Sequence, residues 1–116
     1  MQFKYFQSND WEDKQMASLG KELRETIKNL ENIRDSQEPP FDNIIQKLDE
    51  LYDQQIDLID AAIKRNSKKY KKAAEAMQEA AKKTKKATDD LAKLEKSIEK
   101  VAEAISAVAE LLAKFL

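Results

Sequence analysis

The chain has 116 residues, a formal net charge of −1 and 37% charged residues, with one glycine, two prolines and neither cysteine nor histidine. That length suits a single domain, and so little Gly and Pro leaves scant turn chemistry for a sheet, so the composition favours long helices. The lack of Cys excludes a disulfide framework and a thiolate metal site, and the lack of His removes the commonest general base and metal ligand and excludes a Glu-x-x-His di-iron centre.

Segment 1–8 places Phe3, Tyr5 and Phe6 close together, which predicts a short arm packed on the helices. Ser8, Asn9 and Asp10 then offer N-cap acceptors, and Asp10, Glu12 and Asp13 suit the positive end of a helix dipole. Met16, Leu19, Leu23, Thr26, Leu30 and Ile33 recur at alternating spacings of three and four, with Ile27 widening the stripe. This predicts an amphipathic helix from about residue 10 to 36. Pro39 and Pro40 cannot continue it, although either can open the next helix. Beyond Phe41 a second row follows: Ile44, Leu48, Leu51, Gln55, Leu58 and Ala62, with Ile45, Tyr52 and Ile59 beside it. Residues 9–65 therefore read as an antiparallel helical hairpin with its turn at 36–41.

Residues 66–116 continue a heptad series that opens at Ile63. Ile63, Tyr70, Met77, Thr84, Leu91, Ile98, Ile105 and Leu112 occupy a, and Asn66, Ala73, Ala80, Ala87, Leu94, Val101, Val108 and Phe115 occupy d. Its phase differs from that of residues 44–62, so the chain stutters or breaks near KRNSK, where Asn66 and Ser67 can cap or turn. A second candidate break is KKTKKATDD, where lysines suit a helix end and Thr88-Asp89-Asp90 suit a start. The heptad phase runs through it unchanged, without Gly or Pro. The expected fold is all-α: the hairpin plus one long heptad helix near 68–115, forming a three-helix bundle or coiled coil in a single domain. The alternative is a four-helix bundle with a turn near 87. The strongest hydrophobic packing is expected in the C-terminal third, where Leu, Ile, Val and Phe fill a and d.

The small net charge hides a division: residues 1–60 carry seven basic and fourteen acidic groups, and residues 61–116 fourteen basic and eight acidic. Ten of the basic groups lie in Lys64–Lys86, and none falls at a, d or e. The segment thus reads as a helix with a dry, Ala-lined face and a wet, cationic back. One expectation is that this back is solvated or paired with Asp49, Glu50, Asp53, Asp57 and Asp60, an antiparallel turn bringing Asp49 beside Lys82. The alternative is a surface of Lys64, Arg65, Lys68, Lys71, Lys72, Lys82 and Lys86 that binds nucleic acid or anionic membrane electrostatically. With Arg65 the one arginine and Tyr70 the one aromatic of Lys64–Lys86, base readout is poorly served.

No Gly-rich phosphate loop, nucleophile elbow or metal-ligand spacing is present, and Asp89-Asp90 project about 100° apart on a helix and do not converge. The expectation is a non-catalytic module without a cofactor, metal or small-molecule substrate. It binds or masks a partner protein, in an adaptor, chaperone or immunity-type role of bacterial or phage kind, and can self-associate. The residues singled out for that contact are Val108, Leu111, Leu112, Phe115 and Leu116. Trp11 and Tyr52 are expected to pack in the core or hairpin. No apolar run of signal-peptide or membrane-spanning length occurs, which suits a cytoplasmic protein.

Overall fold

A computed structural model describes residues 18–36, 41–60 and 67–114; the N-terminal arm, Trp11, the two prolines, Lys64, Arg65, Phe115 and Leu116 lie outside them. Among the described residues there are four α-helices and no strand. They are α1 (Leu19–Ser36), α2 (Asp42–Asp60), α3 (Lys68–Asp89) and α4 (Leu94–Ala113), with a 3-10 turn at Leu91–Lys93.

Each helix forms where an apolar stripe meets an end that satisfies its free backbone groups. In α1 the stripe is Leu19, Leu23, Thr26, Ile27, Leu30 and Ile33, all buried. The Ser36 hydroxyl donates to the Ile33 carbonyl at 2.8 Å in its last turn. Helix α2 opens on the Phe41 carbonyl, which accepts from the amides of Ile44 at 3.1 Å and Ile45 at 3.3 Å. Its buried row is Ile44, Leu48, Leu51 and Gln54. The buried glutamine is thus Gln54, while Gln55, expected in that row, is half-buried.

Lysines in the first turn of α3 oppose the helix dipole, and Ser67 offsets this as N-cap, its side chain accepting from the Tyr70 amide at 3.1 Å. The buried face of α3 is Tyr70, Ala73, Ala74, Met77, Ala80, Ala81, Thr84 and Ala87. Five alanines in that set let two helix axes approach closely.

The single helix expected over 68–115 is interrupted at Asp90. This residue is extended (φ −144°, ψ 98°) and caps both neighbours. Its amide donates to the Lys86 carbonyl at 3.1 Å, and its carboxylate accepts from the Ala92 amide at 3.1 Å. One residue therefore closes α3 and opens the next turn without Gly or Pro, using the short acidic side chain that competes with helix. The two flanking helices bury different heptad rows, which is why the unbroken phase hid the break. Helix α3 buries a, d and e; α4 buries Val101 and Val108 at d and Ser97, Ala104 and Leu111 at g. At a in the second half, Leu91 is exposed, Ile98 and Ile105 are half-buried, and Leu112 alone is buried. The a/d seam is accordingly not continuous across Asp90.

Helix α1 packs against α2 and α3, and α4 packs against α3 and α2, which leaves α1–α4 and α2–α3 as the diagonals of a bundle. Bonds from α1 to α3 join residues 51, 52 and 55 apart, so those helices run parallel. Lys72 of α3 meets Glu110 of α4, as an antiparallel hairpin about Asp90 requires. Two hairpins thus lie side by side, α1 along α3 and α2 along α4. The largest fully buried side chains include Leu19, Leu23, Leu30 and Ile33 of α1 and Ile44, Leu48 and Leu51 of α2, beside Val101, Val108 and Leu111 of α4. The heaviest packing is therefore not confined to the C-terminal third: leucines of α1 fill the space that the alanines of α3 leave.

Candidate interaction surfaces

Asn29 of α1 donates from Nδ2 to the Ala81 carbonyl at 3.0 Å and to Thr84 Oγ1 at 3.1 Å. The Thr84 hydroxyl in turn donates to the Ala80 carbonyl at 2.8 Å. The Leu19 amide, a free donor of the first turn, donates to the Tyr70 hydroxyl at 3.0 Å. Thr26 donates to the Glu22 carbonyl at 2.9 Å within its own helix. These groups are partnered and stand between parallel helices rather than around a cleft. A one-turn slip of α1 on α3 would strand them in an apolar interior, so they fix the register of the two hairpins.

The α2/α4 contact is differently made. Gln54, 8% exposed, donates from Nε2 to the Ile105 carbonyl at 2.8 Å, but its buried Oε1 has no hydrogen-bond partner. The flank of α2 that carries Gln54 also carries Asn43, Lys47 and Glu50 by helical spacing, whereas α4 offers Leu94, Ile98 and Ile105. Leu94, Ile98 and Ile105 pack against the apolar core, and the seam stands open at its N-terminal end. An open groove of about 530 Å³ remains there, lined by Phe41, Asn43, Leu91, Ala92, Leu94, Glu95, Ile98 and Glu99. Phe41 is 44% and Leu91 45% exposed; Ile45 (39%) and Ile56 (61%) are the other large apolar side chains left open among the described residues.

The groove was not legible beforehand. Phe41 directly follows the prolines and Leu91 directly follows Asp89-Asp90. An apolar residue just ahead of each of two parallel helices is the signal that could have found it, once their pairing was known.

Val108, Leu111 and Leu112, singled out for partner binding, are 0%, 0% and 4% exposed and belong to the core. The antiparallel return of α4 onto α3 covers the face that a lone heptad helix would have offered. Lys68, Lys71, Lys72, Lys82 and Lys86 are all exposed on the outer side of α3. Its outermost row reads Lys68, Lys72, Glu75, Glu79, Lys82, Lys86, so carboxylates separate two lysine ends about 21 Å apart at 1.5 Å per residue. Lys72 pairs with Glu110 at 3.6 Å and Lys83 with Glu79 at 3.8 Å, exposed contacts of little energetic weight. Lys68, Lys71, Lys82 and Lys86 make no ion pair with a described residue. The expected pairing with Asp49, Glu50, Asp53 and Asp57 does not form, because α2 lies diagonally across the bundle from α3.

Of the acid pair, Asp90 is spent on capping. Tyr52 packs at the hairpin, its hydroxyl donating to Glu31 Oε2 at 2.6 Å. That bond, with desolvation and the Glu31 charge, holds the phenol pKa above its ordinary value. Among the described residues no group of three or more acids is placed to hold a metal ion, and no helix is long and apolar enough to cross a membrane. Comparison with family models, curated proteins and solved structures gives no match for this chain.

Proposed function

We propose that this protein is a non-catalytic helical module that binds a partner protein. The observation that carries this reading is the groove at the α2/α4 end, where Phe41 and Leu91 stay almost half exposed on a bundle whose other large side chains are mostly enclosed. Contiguous exposed apolar surface rimmed by polar residues is typical of docking sites. The buried polar groups support the same reading, because they are spent on helix register and leave no convergent cleft. The test is sedimentation across a concentration range together with affinity capture, comparing wild type with a Phe41→Asp/Leu91→Asp variant. A stoichiometric complex or a concentration-dependent assembly is expected for the wild type and lost in the variant. A strict monomer whose captured proteins match the variant's would overturn the reading.

A second reading, electrostatic binding of nucleic acid or anionic membrane, is favoured by the exposed and largely unpaired lysines of α3. Glu75 and Glu79 in the middle of that row weigh against it. Titration with duplex DNA and with phosphatidylserine vesicles separates the two readings. Binding that falls steeply with salt, and disappears when Lys68, Lys71, Lys72, Lys82 and Lys86 become Gln, would replace the protein-binding reading as the principal one.

A further inference from the structure

The groove carries information about what fills it. Its floor is Leu91 of the 3-10 turn with Leu94 and Ile98 of α4, at i, i+3 and i+7 in sequence, and Phe41, just ahead of α2, closes the other side. Such a ridge accepts the apolar stripe of another helix, which presents anchors at the same spacings. The two charged residues that line it are both acidic. Glu95 and Glu99, one helical turn apart, line the groove beside this floor. At 100° per residue Lys96 lies on the side of α4 away from the floor, although it neighbours Glu99 at i, i+3.

We propose that this groove docks an amphipathic helix of a partner protein whose apolar stripe is flanked by lysine or arginine. The inference rests on the protein-binding reading above and names the chemistry of the partner. Apolar anchors would supply the affinity, and the carboxylate rim would select basic flanks and their orientation. A second copy of this chain is a poorer occupant. The exposed cationic row of α3 has lysines and glutamates but no apolar stripe to lay on the floor.

The experiment is fluorescence anisotropy with a labelled synthetic peptide of about five helical turns. It carries leucines at i, i+3, i+4 and i+7 with lysines beside them, and a sister peptide has glutamate for every lysine. Wild type is expected to bind the lysine peptide at least about tenfold more tightly than its sister. A Glu95→Lys/Glu99→Lys variant is expected to reverse that order. A Phe41→Ser/Leu91→Ser variant is expected to bind neither, with its circular-dichroism melt showing that the bundle still folds. Equal binding of both peptides by wild type, or a lysine preference that survives the Glu95→Lys/Glu99→Lys change, overturns the proposal. Binding of neither peptide by wild type also overturns it. If Phe41→Asp/Leu91→Asp then still abolishes a concentration-dependent assembly, the occupant is a second copy, and the protein-binding reading survives without this one.

Discussion

The α1/α3 and α2/α4 contacts both join parallel helices of neighbouring hairpins, yet they are built on opposite terms. Between α1 and α3, leucines face alanines, and Asn29, Thr84 and Tyr70 find partners. Between α2 and α4, Gln54 donates to the Ile105 carbonyl but keeps an unpartnered oxygen, and the end stands open. The difference teaches where stability and recognition reside. A seam whose enclosed polar groups are satisfied has one arrangement, and the α1/α3 seam leaves a cleft of about 170 Å³ beside Asn29, Ala81 and Lys82 against about 530 Å³ at the α2/α4 end. A mismatched seam contributes less to folding, and its unburied apolar residues remain available to another molecule.

The strongest way to break this contrast is in the core of the tight seam. Leu30→Ala, at a fully enclosed position, is expected to cost about 2–5 kcal/mol in urea unfolding, since the alanine face of α3 cannot collapse into the space. A cost no larger than that of Ile45→Ala on the exposed flank would remove the distinction. Asn29→Ala should follow at about 1–3 kcal/mol, because Thr84 and the Ala81 carbonyl lose a buried donor. A double-mutant cycle with Thr84→Val should show the pair to be coupled; additive effects would mean that the register is held by packing alone.

Asp90→Ala tests the joint of the second hairpin and should cost about 0.5–2 kcal/mol through the lost cap. Helical content that rises with no loss of stability would instead favour an unbroken helix through residue 90. Smaller still is the pH response of Tyr52. Its folded pKa lies above the unfolded value, so the folded state retains the proton over that interval. Stability from the Tyr52–Glu31 bond is full below the unfolded pKa of about 10 and is lost as pH rises through the folded value. Alkaline unfolding of wild type should therefore be steeper with pH than that of Tyr52→Phe, and coincident slopes would exclude this contribution. At the bottom of the scale, Gln54→Leu is expected to be neutral or slightly stabilising, within about 1 kcal/mol. It removes an orphaned oxygen, while the Ile105 carbonyl can keep its partner within the helix. A large loss there would show the loose seam to be as finely fitted as the tight one.

Much of the fold was legible from spacing. The row Leu19, Leu23, Thr26, Leu30, Ile33 and the row Ile44, Leu48, Leu51 are buried as their periodicity implies, and the alanines of 73–81 form the dry face opposite the lysines. Ser67 was legible as a helix boundary because its hydroxyl can cap. The candidate site was not. Val108, Leu111 and Leu112 looked available only because the heptad phase runs unbroken to the end of the chain, and phase says nothing about which neighbour covers a face. Leu91 looked buried for the same reason.

Sequence by itself determined that this protein is helical, which faces are apolar, and where lysine is kept from the core. Those properties follow from local spacing at 3.6 residues per turn and from side-chain polarity. Tertiary structure decided between one long helix and the alternative break that KKTKKATDD offered, and it alone decided that α1 rather than α2 lies along α3 and that Phe41 and Leu91 line one open end. These are relations between stripes. Each depends on which partner a stripe finds, and no single helix carries that information.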